Sequence, residues 1–186
     1  MEIILLRHGK PDIELKGNLN AGKFKQLIAE YSQSGIKDIP SEQLKKCFNC
    51  HYVVCSNLVR STESAEKLNL ENIHVSDALF RETEIPHFDK SFFSLPVIVW
   101  LILLRIMWLF GFSKNGESFS QAKVRSKQAA EKLTLLAQEN EKIIVVGHGL
   151  ANRLIGKQLR KNGWQTSQRR GKSYWEFRKY TKSHFK

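Results

Sequence analysis

Cysteine is scarce: Cys47, Cys50 and Cys55 are the only three in 186 residues. Three cannot build a disulfide framework, and they fit a reducing compartment better than a secreted one. The pair Cys47-x-x-Cys50 lacks the second ligand pair of a zinc site, so the cysteines do not argue for a metal, and no cofactor is expected. Acidic side chains are also short, 18 against 30 Lys plus Arg, for a formal net charge of +12. There is no internal repeat and no low-complexity segment. The first apolar run, Ile3-Ile4-Leu5-Leu6, is too short for a signal-peptide core, so no leader is expected. Hydrophobic residues at 41% and charged residues at 26% are ordinary globular usage. They exclude a disordered tail, a collagen-like chain and a multi-span membrane protein. The length suits one domain over 1–186 with a small insertion.

The excess charge sits late. Residues 153–186 hold eleven basic side chains, from Arg153 to Lys186, against Glu176 alone. A basic C-terminal face suits an anionic partner, whether substrate, lipid headgroup or nucleic acid, and equally suits a solvated surface that keeps the protein dissolved. No nucleic-acid-binding motif accompanies it, so nucleic acid is not expected.

Strand and helix patterns alternate. Ile3 to Leu6 reads as a buried strand. Phe24, Leu27, Ile28 and Tyr31 line one helix face that should stop near Gly35. A short helix after Pro40, a strand at 52–55, a helix at 58–68 and a short strand at 73–75 follow. A long helix at about 118–138 carries Ala122, Ala129, Leu133, Leu136 and Ala137 inward. Ile143-Ile144-Val145-Val146 is apolar on both faces, as in the middle of a parallel sheet, and a helix at about 150–161 follows it. Tyr174-Trp175-Glu176-Phe177-Arg178 alternates like an edge strand. This order predicts an α/β fold: a three-layer α/β/α sandwich around a mostly parallel sheet.

The chemistry lies at strand ends. Leu5-Leu6-Arg7-His8-Gly9 places an arginine and a histidine just past one buried strand. Val145-Val146-Gly147-His148-Gly149 places a second histidine past another. Ser56-Asn57-Leu58-Val59-Arg60 delivers Arg60 on the first turn of a helix. Ligands of open α/β sheets bind at this edge. Arginine forks match phosphate oxygens, and helix N-termini favour anions. Two histidines and two arginines there define a phosphate pocket with a candidate nucleophile.

This ordered set, with Ser64-Ala65, Arg81-Glu82 and Gly116-Glu117-Ser118 with Arg125, resembles the histidine phosphatase (phosphoglycerate mutase-like) superfamily. The resemblance implies that His8 attacks phosphorus and becomes a phosphohistidine. It implies that Arg7, Arg60 and His148 hold the phosphoryl oxygens and that Glu82 protonates the leaving oxygen. Nearby arginines should keep His8 neutral, as a nucleophile must be. Glu84, two residues on, points to the same side of an extended chain and competes for the acid role. Glu117 should cap or orient the long helix, while Asn152 and His87 read as structural, with reach to the substrate as the alternative.

Departures narrow the class. Lys10-Pro11-Asp12 replaces the family's acidic-Thr continuation, and Glu14 stands where an Asn is usual, so the substrate pocket differs from that of the mutases. Glu82 favours an oxygen ester of a small or amphiphilic molecule, and the expected activity is phosphoric monoester hydrolysis without a metal. Alternatives are a phosphohistidine phosphatase of phosphoproteins, for which Glu82 is dispensable, and a non-catalytic membrane-associated module that keeps the phosphate pocket for binding.

Residues 92–112 read FFSLPVIVWLILLRIMWLFGF. By length and hydropathy they could span a bilayer, but one crossing would separate Arg7, His8 and Arg60 from His148. The segment is therefore expected to be helical within an inserted lid at about 86–116. It should pack on the domain, form a homodimer or lie peripherally on a membrane surface, with Pro96 starting or breaking a helix and Arg105 snorkelling toward water or a phosphate. The expected location is cytoplasmic, with a peripheral place on the inner face of a membrane as the variant.

Overall fold

The computed structural model describes residues 1–48, 52–70, 72–166 and 173–183. In chain order its elements are β1 (Glu2–Arg7), β2 (Asn18–Leu19), α1 (Ala21–Gln33), α2 (Glu42–Lys46), β3 (Tyr52–Ser56), α3 (Val59–Lys67), β4 (Ile73–Asp77), a 3₁₀ turn (Ala78–Phe80), β5 (Leu95–Pro96), α4 (Val97–Leu109), α5 (Phe119–Asn140), β6 (Lys142–Gly147), α6 (Gly149–Lys161) and β7 (Phe177–Thr181).

Five strands form one sheet in the order β4-β3-β6-β1-β7, and β2 with β5 form a separate two-stranded ribbon. All pairings in the large sheet are parallel except that of β7, which runs antiparallel along β1. β6 is the central strand, as its apolar run requires. Successive side chains on a strand face opposite ways, and the core divides accordingly. Ile3, Leu5, Val54, Ile143 and Val145 pack on one face with Ala129, Leu133, Ile155 and Leu159 of α5 and α6. Ile4, Leu6, Val53, Cys55, Ile144 and Val146 pack on the other with Ala65 and Leu68 at α3. A third cluster joins Ala21 and Phe24 of α1 to Val97, Trp100 and Leu104 of α4.

Register places the site. Arg7 pairs with Gly147 across β1 and β6, and Cys55 with Val146 across β3 and β6. The next residues, His8 and His148, therefore leave the sheet side by side, and Ser56 ends β3 at the same level.

Two details differ from the sequence reading, and a third decides between the two roles expected of Glu117. The last strand begins at Phe177, not Tyr174, because Tyr174 and Trp175 turn across the top of β1, with Trp175 at a φ of 61°. Ser118, not Glu117, caps α5, through a reciprocal capping box with Gln121. Glu117 orients that helix instead by a two-pronged ion pair with Arg125, both contacts 2.7 Å. Arg105 turns inward rather than snorkelling: its guanidinium donates to Thr83 Oγ1 at 3.1 Å and to the carbonyls of Thr83 and Glu84. Of the Cys47/Cys50 pair, Cys47 is exposed and Cys50 lies outside the described residues. No helix among the described residues is long and apolar enough to cross a membrane.

Candidate active site

His8 follows β1 and is buried. Its Nδ1 lies 2.6 Å from the Gly9 carbonyl. A carbonyl only accepts, so Nδ1 carries the hydrogen and the lone pair is left on Nε2. Burial first, then the Arg60 and Arg7 charges, pull the imidazole down to about 3, while the Gly9 bond opposes them. The ring is thus neutral near pH 7. The expectation that arginines keep it so holds in direction, with burial as the larger cause.

Gly9 is fixed in turn. Its N–H donates to Ser64 Oγ at 2.9 Å, and Ser64 donates to the Arg60 carbonyl at 2.5 Å. A side chain at Gly9 would overlap the Trp175 ring and Asp38. Asp38 accepts from the Lys10 N–H at 2.6 Å and from the Trp175 indole at 2.8 Å, so the loop after β1 and the segment before β7 are held to one carboxylate.

Arg60 sits on the first turn of α3 and is only 2% exposed. Its Nη1 donates to the Tyr31 and Ser32 carbonyls at 3.1 and 3.3 Å, and the guanidinium lies 4.9 Å from the Tyr31 ring centroid. Those carbonyls belong to the last turn of α1, the negative end of that helix. The Arg60 Nε is buried without a partner among the described residues.

His148 is fully buried, its ring 5.0 Å from that of His8. Its Nε2 is 2.8 Å from Ser56 Oγ, and its Nδ1 is buried without a partner among the described residues. Burial, then the charges of His8, Arg60 and Arg7, lower its pKa well below the ordinary value. Ser61 Oγ donates to the Val146 carbonyl and accepts from Ser56 N–H at 3.1 Å, tying α3 to the ends of β3 and β6. The neighbouring Cys55 offers no rival nucleophile, since burial pushes its thiol up to about 12.

Arg7 closes the group. Its guanidinium carbon lies 4.3 Å from the Tyr174 ring centroid, and Tyr174 is 5.8 Å from the His8 ring. A Cβ at Gly149 would come within 3.3 Å of Arg7 Nε, so glycine is what lets the start of α6 approach so closely. A cavity of about 100 Å³ between α6 and β7 is lined by Arg7, Arg153, Arg160 and Arg178; it shares Arg7 with the site but neither histidine.

Glu82 and Glu84 do not face the same way. The Glu82 carboxylate accepts from the Ala151 and Thr83 N–H groups at 2.9 Å and from Leu150 at 3.2 Å, so it sits on the N-terminus of α6, directly after His148. Its charge reaches Arg60 and Arg105. Glu84 turns away and accepts from the Glu117 N–H at 2.9 Å. Asn152 donates to the Leu6 carbonyl at 2.9 Å, and the His87 carbonyl accepts from Asn115 in the 113–116 turn.

The sequence reading missed Tyr31, Asp38, Tyr174 and Trp175. None stands in a motif with a histidine or arginine, and only the fold brings them to the strand ends.

The arrangement defines an α/β protein with a positively charged strand-end pocket built around a neutral histidine. The family model of the histidine phosphatase superfamily (branch 1) matches residues 3–174, and the chain belongs to that superfamily. None of the curated proteins searched matches it. Among solved structures it is similar to the mycobacterial glucosyl-3-phosphoglycerate phosphatase complexed with VO3. That likeness has 16% identity and a TM-score of 0.62, covering 96% of this chain and 91% of the other. It is also similar to a phosphoserine phosphatase mutant from Entamoeba histolytica in complex with phosphoserine. There the identity is 16% and the TM-score 0.61, over 98% and 91% of the two chains. These likenesses establish the fold, and the family membership supports a phosphatase hydrolase.

Proposed function

We propose that the protein hydrolyses a phosphate monoester through a phosphohistidine on His8, without a metal. The observation that carries this reading is the His8 Nδ1 contact with the Gly9 carbonyl, which leaves the Nε2 lone pair as nucleophile in a ring that burial keeps neutral.

In the first step Nε2 bonds to phosphorus while the bond from phosphorus to the leaving oxygen breaks. Arg7 and Arg60 counter the charge of the phosphoryl group. Arg60 Nε and His148 Nδ1, two inward polar atoms without a partner among the described residues, are suited to its oxygens; His148 does so as a neutral N–H donor. Glu82, in its protonated form, gives its proton to the leaving oxygen. In the second step water attacks phosphorus, Glu82 takes the water's proton, the P–N bond breaks and inorganic phosphate leaves. The substrate is a small or amphiphilic oxygen ester. What supports Glu82 over Glu84 is its place beside His148 and Arg60, where Glu84 does not reach.

The three backbone N–H groups on Glu82 favour a second reading. A carboxylate so engaged is an acceptor and a helix cap, and a phosphohistidine substrate would need no proton from it.

The test is His8→Ala with an aryl phosphate and a rapid acid quench. The wild type should trap an acid-labile phosphate on His8, the variant should be inactive, and chelator should leave the wild-type rate unchanged. Turnover undiminished in the variant would refute the mechanism.

A further inference from the structure

Helix α4 has two apolar faces. Val97, Trp100, Leu104 and Trp108 are buried. The Trp100 indole donates to the Leu19 carbonyl at 2.7 Å and the Trp108 indole to the Glu117 carbonyl at 2.6 Å. Both tryptophans thus hold the helix to the domain, as Arg105 does through Thr83.

The opposite face is bare. Ile98, Ile102, Ile106 and Phe110 form an i, i+4 row, 48–88% exposed, with Val99, Leu103 and Leu109 beside it. Phe92 is fully exposed and Phe93 more than half. At 150–250 Å² per aromatic side chain, the three phenylalanines alone present about 400 Å², and with the aliphatic row the surface exceeds the few hundred Å² usual on a soluble monomer.

Three observations select what covers it. First, every polar side chain of the helix itself, Trp100, Trp108 and Arg105, is turned inward, whereas a protein interface needs directional contacts. A fluid apolar phase does not. Second, residues 90–116 contain Lys90, Arg105 and Lys114 and no acidic residue. Nearby, Lys16 pairs with Glu14, and Lys25 and Lys114 both pair with Asp89, while the whole chain carries +12, so two copies repel and an anionic surface attracts. Third, thirteen residues rise only about 20 Å, too short to cross a bilayer of about 30 Å but enough to lie along it.

We infer that the outer face of α4, with Phe92, Phe93 and Phe110, docks on an anionic lipid surface with the helix lying in the headgroup–acyl boundary. The docking stands independently of the phosphatase reading. It sets the loop of Thr83 and Glu84 against the inner side of a membrane-bound helix through Arg105.

The test is co-sedimentation of the full chain with equimolar phosphatidylcholine–phosphatidylglycerol vesicles and with phosphatidylcholine alone, at low and high salt. The wild type should bind the anionic vesicles, more weakly at high salt, and bind the neutral ones less. Ile102→Glu with Ile106→Glu should lower the partition at least about ten-fold. Should that pair disturb folding by circular dichroism, Phe92→Ser with Phe110→Ser, one before the helix and one at its C-cap, should lower it as well. Hydrolysis of a soluble aryl phosphate by the same variants should match the wild type, which separates failure of docking from failure of the catalytic reading. No binding to either vesicle, binding indifferent to both pairs of substitutions, or a stable wild-type dimer that they dissociate would each overturn the inference.

Discussion

Acidification should unfold this protein through its two site histidines. His8 and His148 are both buried and both held neutral in the fold, His8 down to about 3 and His148 well below its ordinary value. In the unfolded chain each titrates near 6.5. Between those limits the unfolded state binds more protons than the folded one, so stability falls as pH falls from about 6.5. Each histidine costs nearly nothing at about pH 8 and about 1.4 kcal/mol at about pH 5.5, so the pair costs about 3 kcal/mol. That is a sizeable share of the roughly 5–15 kcal/mol that holds a typical domain together. The structurally paired carboxylates act in a lower window. Hydrogen bonds from Lys25 and Lys114 hold Asp89 down to about 2 from 3.8, so its contribution is lost only below that upper value. Urea unfolding at the two pH values measures the loss. His8→Gln should halve it, since His148 alone then titrates on unfolding. A variant that keeps the full wild-type loss would show that His8 does not stay neutral in the folded protein.

Glu82→Gln should slow esters with poor leaving groups by roughly 10²–10⁴-fold and aryl phosphates far less, whereas Glu84→Gln should not discriminate between them; the reverse pattern in steady-state kinetics would transfer the acid role to Glu84. Ser64→Ala leaves the Gly9 N–H without its acceptor and should cost ~1–3 kcal/mol in urea unfolding, with a fall in kcat on an aryl phosphate, because the Gly9 carbonyl that orients His8 loses its anchor. A wild-type kcat would show that the carbonyl is positioned by other contacts. Trp100→Ala should cost about 3–5 kcal/mol, since the ring is buried against Phe24 and its indole is bonded to Leu19; a loss below about 1 kcal/mol would mean that α4 is not packed as described.

The sheet and the strand-end quartet were legible because they are local. A four-residue apolar run, a glycine after a histidine and an arginine one turn into a helix are each readable within ten residues. The central place of β6 followed from its having no polar face. What the sequence hid is long-range. Asp38 joins the Lys10 N–H to the Trp175 indole, and no periodicity connects those three positions. Tyr174 and Trp175 alternate with Phe177 as a strand would, yet the chain turns there because Trp175 fills the space that Gly9 leaves open. Glu82 and Glu84 have the same spacing as strand neighbours, but the loop is not extended against a partner, and each carboxylate follows its own N–H donors. In α4, hydropathy is nearly uniform around the helix, so sequence could not choose its inner face. The indole hydrogen bonds did, and they turned inward the two tryptophans that composition alone would place on a membrane.

The treatment of Arg60 explains how such a site stays ready for an anion. A buried guanidinium is costly unless paired, and the usual remedy is a carboxylate. Here no acidic side chain forms an ion pair with Arg60 among the described residues, although the charge of Glu82 reaches it. Its partners are two carbonyls at the end of α1 and the face of Tyr31, which are partial charges and a ring quadrupole. They hold the group in place without cancelling its charge. A contacting carboxylate would stabilise the empty protein more, but it would repel a phosphoryl dianion from the same spot. Turning Glu82 toward the N-terminus of α6 keeps its negative charge close while giving it N–H donors of its own. The same logic covers the histidines. Arg7 and Arg60 raise the potential that draws the anion in, and that potential, added to burial, keeps the His8 lone pair unprotonated for attack. The pocket therefore trades fold stability for a standing positive field, and the acid sensitivity set out above is the measurable side of that trade.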